Sequence, residues 1–190
     1  AKFTNVFRDI VENLAAKPFT EEMGLVEGSS SPEIEKFIED VDGRGNHLHV
    51  FAQEIFFNGI GFAVDWILVD YTKGIPSDAT IAQEKASGAR PYWVRIPAQK
   101  LHAIYSDSVK GVETFVHARL CEDTILRNGY GETKVERVRV FNREPLVNEA
   151  GDVTGYGPAH WQLFEKQHPN GQTEDIWVLL EEGSVSIGVI

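Results

Sequence analysis

Gly61-Phe62-Ala63-Val64-Asp65-Trp66-Ile67-Leu68-Val69-Asp70-Tyr71 is the stretch on which the fold turns. Before it the apolar residues recur with a helical period. Within it β-branched and aromatic residues follow one another, which predicts a strand over Phe62–Tyr71, long enough to be buried on both faces. Upstream, Phe3, Val6, Phe7, Ile10, Val11 and Leu14 share one stripe of a helix over Phe3–Lys17, ended by Pro18. Ser31-Pro32-Glu33 supplies an N-cap, a proline at the first helical position and a first-turn acid, and predicts a helix to Val41 that buries Ile34, Phe37, Ile38 and Val41. A third helix, Asn46–Asn58, should stop at Asn58-Gly59.

Downstream of Tyr71, Ser77 and Asp78 can cap a short helix through Ser87, with Gly88 as its left-handed stop. Strands follow at Tyr92–Ile96 and His102–Tyr105 around one helical turn, then a turn over 106–111 and a return strand Val112–Cys121. Val135–Asn142, a glycine-rich loop to Gly157, His160–Gln167, a His168-Pro169-Asn170-Gly171 turn and Ile176–Leu180 complete the pattern. Helices first and a mainly antiparallel meander second make an α+β fold. The expected organisation is a helical segment, 1–60, packed as one domain with a mainly β region, 61–190.

Composition narrows the function classes. Eighteen Lys and Arg against 29 Asp and Glu give 190 residues a net charge of −11, which opposes non-specific nucleic-acid binding because phosphate contacts need clustered cations. One cysteine excludes an internal disulfide and a cysteine-cluster metal site. No apolar run reaches the ~18 residues of a membrane span. Residue 1 is Ala, Met23 is the lone methionine and Gly183–Ile190 is largely apolar, so the chain is expected to be a piece of a longer one.

Few constellations carry chemistry. His47 and His49 with Glu54 and Gly61 outline a cupin-like metal motif, two imidazoles and a carboxylate suiting Fe, Mn, Ni or Zn. Helical periodicity would turn the two rings roughly 200° apart, which favours exposed histidines near a helix start. Asp65 and Asp70, five apart on a strand, fall on opposite faces and do not pair as a nuclease site would require. Cys121, between strand residues and the acids Glu122 and Asp123, reads as a packed small side chain rather than a nucleophile. Arg137 and Arg139 alternate with valines and, with Arg143, form a small basic strip able to meet phosphate or a partner's carboxylates. Glu132, Glu136 and Glu144 beside it favour local ion pairing. Eight acids against one lysine over Glu21–Asp42 read as a solvated face. Glycine-rich phosphate loops, nucleophile elbows and His-Glu-x-x-His are absent from the sequence.

Three segments, Phe51-Ala52-Gln53-Glu54 to Gly59, Val64–Tyr71 ending Leu-Val-Asp-Tyr, and Thr80–Tyr92 ending Arg-Pro-Tyr, taken in order, resemble a branch of the portal proteins of tailed bacteriophages and prophages. Val94–Tyr105 resembles the strand, proline turn and strand of portal wing domains, with Lys110-Gly111 at the tip of the hairpin that follows. Ala16-Lys17-Pro18-Phe19 resembles the family's start, and Asn128–Gly157 has no counterpart. The resemblance implies a wing-domain fragment lacking stem, clip and crown. It further implies a non-enzymatic subunit without cofactor or metal, belonging to a homo-oligomeric ring of about twelve chains at a capsid vertex. Terminase, capsid and head–tail connector proteins would be its partners, double-stranded DNA would pass through without sequence specificity, and no membrane is involved. It would reside in the virion, and in the bacterial cytoplasm during assembly. The competing expectations are a metal-dependent cupin-like enzyme using His47, His49 and Glu54, and a generic α+β interaction domain.

Overall fold

A computed structural model describes residues 6–26, 28, 30–72, 76, 79–169 and 174–185. The fold is α+β: among the described residues three α-helices precede the first strand, a fourth lies between the first two strands, and the strands are mainly antiparallel. The chain divides into two compact units, Ala1–Ala98 and Gln99–Ile190. The first two strands belong with the helices for the reasons that follow.

In the first unit, α1 (Val6–Ala16) runs into a 3-10 turn at Lys17–Phe19 that holds Pro18 at its start. Phe3 lies outside the described residues. Of the described residues in the expected stripe only Val11 is buried: α1 rests on α3 (Leu48–Phe62) through Val11 and Ala15, four residues apart, and this leaves Val6, Phe7, Ile10 and Leu14 45–64% exposed. Helix α2 (Pro32–Ile38) is shorter than expected. Ser31 holds the N-cap position but its side chain makes no capping hydrogen bond, Ile34 is exposed, and only Val41, beyond the helix, is fully buried.

Helix α3 does not stop at Asn58-Gly59. It continues through Gly61 to Phe62 and ends where Ala63 takes a left-handed φ of 67°. Two glycines weaken a helix by about 1 kcal/mol each relative to alanine, a cost that packing of half-buried Phe57 and Ile60 overrides. Phe62–Val64 is thereby removed from the expected strand, and β1 is Asp65–Tyr71. Among the described residues it pairs with β2 (Pro91–Pro97) only, antiparallel, Asp65 opposite Pro97 and Tyr71 opposite Pro91. A two-stranded ribbon leaves one face open, so Ile67 and Val69 are exposed rather than doubly buried.

The ribbon is fastened to the helices. Trp93 N–H donates to the Val41 carbonyl at 2.7 Å, and its indole meets Phe37 and Phe51 at 5.3 and 5.7 Å between centroids. Between the strands lies α4 (Ile81–Ala86), capped by Thr80 and Gln83 in a reciprocal capping box. The expected caps Ser77 and Asp78 lie outside the described residues; Gly88 does take a left-handed φ of 74°.

The second unit follows a 3-10 turn at Ala98–Lys100. A five-stranded antiparallel sheet has the order β3 (Leu101–Val109), β4 (Val112–Cys121), β7 (Arg137–Val147), β8 (Val153–Gln167), β9 (Ile176–Ser184). The expected six-residue turn at 106–111 shrinks to Lys110-Gly111, whose φ values of 53° and 79° fit a type I′ hairpin. The expected loop to Gly157 likewise shrinks to 148–152, where Asn148 Oδ1 accepts from the Ala150 and Asp152 amides and Gly151 has φ 89°. An unexpected hairpin, β5 (Thr124–Asn128) and β6 (Gly131–Val135), turns at Gly129-Tyr130. A positive φ of 60° at Gly129 alone is the type II′ signature. Of the His168–Gly171 turn, Asn170 and Gly171 lie outside the described residues.

Candidate functional site

The basic strip on β7 is built by register. Leu120, Arg139 and Leu163 are direct cross-strand neighbours on β4, β7 and β8, so the guanidinium is set in an apolar row and Arg139 is only 4% exposed. A buried cation must be paired, and Arg139 is: Nε and Nη2 fork onto the two carboxylate oxygens of Glu122 at 2.5 and 2.9 Å. The Trp161 ring lies 4.5 Å from Cζ, in cation–π contact. Gly183 of β9 faces Trp161; a Cβ there would lie 2.9–3.1 Å from three indole atoms, so a bare backbone is required.

Arg137 donates through Nε and Nη2 to Glu165 Oε2 at 2.9 and 2.8 Å, which holds that carboxyl below its usual range. Arg143 Nη1 donates to the Gly157 carbonyl at 3.0 Å. All three arginines thus have partners inside their own unit. None of those partners is an expected one: Glu132 pairs with Arg127, Glu136 with Lys166, and Glu144 accepts from Asn142. Proximity in sequence misled because neighbours in a strand point to opposite faces, whereas Glu165 comes from the adjacent strand β8 and Glu122 from the residue just past the end of β4.

Beside the strip, Asp123 accepts from Lys134 at 2.8 Å and from the Cys121 thiol at 3.1 Å. Those hydrogen bonds, the lysine's first, hold its carboxyl down to about 2.

The three cupin-like residues serve three different partners. His47 Nδ1 caps α3 by accepting from the His49 amide at 3.2 Å, with Nε2 3.8 Å from Glu39. His49 Nδ1 accepts from the Met23 amide at 3.0 Å and its ring stands edge-on to Phe19. Glu54 pairs with Arg95 at 3.2 Å. Both histidines are half-buried rather than exposed. Among the described residues no group of three His, Cys, Asp or Glu is arranged to hold a metal ion.

Arg95 also reaches Asp65, whose side chain is 1% exposed; Oδ2 is 3.5 Å from Nη1, and Oδ1 is buried without a hydrogen-bond partner. Burial raises the Asp65 carboxyl against the pull of that arginine. Asp70, on the opposite face, accepts from the Tyr92 hydroxyl at 3.2 Å. Leu-Val-Asp-Tyr and Arg-Pro-Tyr therefore meet across the ribbon, Asp70 opposite Tyr92, while Arg90 clasps the Asp40 carbonyl and carboxylate at 2.6 and 2.7 Å.

A cleft of about 470 Å³ lies between α1 and α3, floored by Ala15, Ala16, Val50 and Phe57 and edged by Glu12, Gln53 and Glu54. It adjoins a broad supply of exposed apolar side chains. Buried hydrophobics among the described residues are Val11, Ala15, Val41 and Phe51 in the first unit and Leu120, Ala159 and Leu163 in the second. Each core is thin for a unit of that length. Among the described residues no helix is long and apolar enough to cross a membrane. No protein-family model matches the chain, and no curated protein matches it.

Proposed function

We propose that this chain is a structural subunit of a phage portal ring, contributing a wing-like region to the conduit through which double-stranded DNA is packaged and ejected and to which the tail is joined. The observation that carries the reading is the imbalance between its thin cores and its exposed apolar side chains, among them Phe7, Ile10, Leu14, Ile67, Val69, Trp177 and Leu179 at 42–64%. Exposed apolar side chains grouped on one face of one element, as Phe7, Ile10 and Leu14 are on α1 and Trp177 and Leu179 on β9, mark contact with other chains. Charge supports the same reading. A net of −11, with Arg137, Arg139 and Arg143 committed to partners in their own unit, gives duplex DNA little to hold and favours its passage. The role asks for no reacting group, cofactor or metal, and the partners are further copies of the chain, terminase, capsid and connector proteins.

Negative-stain images of the protein as encoded test the proposal. A ring of about twelve subunits around a channel wide enough for a duplex is expected. A monomer at high concentration, or a two-fold dimer without a channel, would overturn it.

A further inference from the structure

Two strand systems of the second unit lack strand partners among the described residues. The first is the β5–β6 hairpin, whose strands pair with one another and with no other strand among the described residues. From Ile125 to Lys134 every residue is exposed, Tyr130 at the tip wholly so. A lone two-stranded ribbon is marginal in water. Its register sorts it into two faces: Ile125, Arg127, Glu132 and Lys134 on one, Leu126 and Thr133 with Thr124 and Val135 on the other.

The second is the outer edge of β9. Edge strands are ordinarily blunted by lysine, proline or brevity. Strand β9 is nine residues long and contains neither Lys nor Pro; its charges, Glu181 and Glu182, come only after the uncharged run Ile176-Trp177-Val178-Leu179-Leu180. Trp177 and Leu179 lie together on one face, 49% and 42% exposed. The opposite edge, β3, is better protected, with His102, Ser106, Asp107 and Ser108 and two irregularities in its pairing.

We infer that these two orphans are halves of one interface: the β5–β6 arm of one copy adds to the β9 edge of the next, extending its sheet from five strands to seven. Two observations select a second copy. Shape agrees, since a free ribbon of two five-residue strands meets a free nine-residue edge. Apolar faces agree, Leu126 and Val135 prolonging the row of Trp177 and Leu179. Charge does not oppose the contact: residues 174–185 carry Glu174, Asp175, Glu181 and Glu182 and no base, whereas on the arm Arg127 is paired with Glu132, Lys134 with Asp123 at its foot, and no unpaired acid faces the edge. The contact joins unlike patches, so it propagates head to tail and is of the kind a closed ring needs. In that respect it rests on the portal reading and names the surface through which neighbours meet. A two-fold pairing of β9 with β9 is the rival it excludes.

Sedimentation velocity on the chain and two variants decides the matter. Leu126→Ser with Tyr130→Ser disables the arm, and Trp177→Lys with Leu179→Lys disables the edge. All four positions are at least 42% exposed, so circular dichroism and urea midpoints near wild type are expected. The unmodified chain should self-associate with rising concentration, each variant alone should lose at least tenfold in association, and an equimolar mixture of the two should form dimers and nothing larger. Each variant retains the half that the other lacks. An arm variant that associates like wild type, or a mixture that stays monomeric, would overturn the inference. The portal reading fails separately. Rings of the encoded protein that survive the arm variant would sink only the arm, whereas head-to-tail dimers from a protein that never forms rings would sink only the portal.

Discussion

Replacing Arg139 by Met removes a cation that is 4% exposed, forked onto Glu122 and stacked on Trp161, while keeping most of its volume. Breaking a buried pair by deleting one partner costs about 3–5 kcal/mol, because the other charge stays behind without compensation. The Glu122 side chain retains 28% exposure and some water with it, so the ion-pair part falls to about 2 kcal/mol, and the lost cation–π contact adds about 1 kcal/mol. A total of about 3 kcal/mol in a unit of this length corresponds to a fall of roughly 12–24 °C in Tm. Urea titration followed by tryptophan fluorescence, in which Trp161 itself reports, measures the loss. Arg139→Met combined with Glu122→Leu should recover most of it, since removing both charges leaves nothing buried and unpaired. A single variant within 1 kcal/mol of wild type, or a double variant no better than the single, would refute the account of this row.

Acid titration of unfolding should show the Asp123 contribution whole above pH 4 and lost between about pH 4 and pH 2, because a carboxyl held down to about 2 in the fold binds its proton more weakly than in the unfolded chain, so acid drives protons onto the unfolded chain first and erodes the stability that the ionised form supplies; Lys134→Met should abolish most of that step. Asp65→Asn should stabilise the first unit by about 1 kcal/mol at pH 7, since the charge it removes is buried with one oxygen unpartnered. Burial raises that carboxyl, so the gain should shrink as acid protonates Asp65 in the wild type; a destabilised variant in thermal melts would show that the Arg95 contact dominates. Mobility-shift titration with duplex DNA at physiological salt should find no micromolar binding, and micromolar binding lost on Arg137→Ala with Arg143→Ala would make the strip a DNA contact. Elemental analysis should find no stoichiometric divalent metal; metal lost on His49→Ala would show that the histidine segment rearranges to bind it.

The α+β order was legible because it follows from a change of period near residue 61, and periodicity is local. What could not be read locally went astray in one direction. The Val6, Phe7, Ile10, Val11, Leu14 stripe has the pattern of a buried face, yet burial is decided by which neighbour exists, and α3 meets α1 at the edge of that stripe, along Val11 and Ala15, so Val11 alone of the five is buried. Likewise the apolar run at Ile67–Val69 specified a strand but not how many strands would flank it. Gly59 and Gly61 looked like a stop because glycine weakens helices, and only packing reveals that the helix outlasts them. Of the basic strip, the shared face was legible and the partners were not: Glu122 and Glu165 reach the arginines through strand register. Asn128-Gly129, a strong turn signal, announced the β5–β6 hairpin, but it fell in a segment with no counterpart in the resemblance.

The bare backbone at Gly183 ties two distant positions into one heritable unit. Any side chain there must displace Trp161, and Trp161 is the lid on Arg139. A lineage can therefore leave glycine at 183 only after shrinking the residue at 161, and a smaller residue at 161 uncovers the guanidinium and weakens the case for a buried charge at 139. Substitutions at the three sites should arise in that order. A second-site screen begun from Gly183→Ala should return changes at Trp161 before it returns any elsewhere in the sheet.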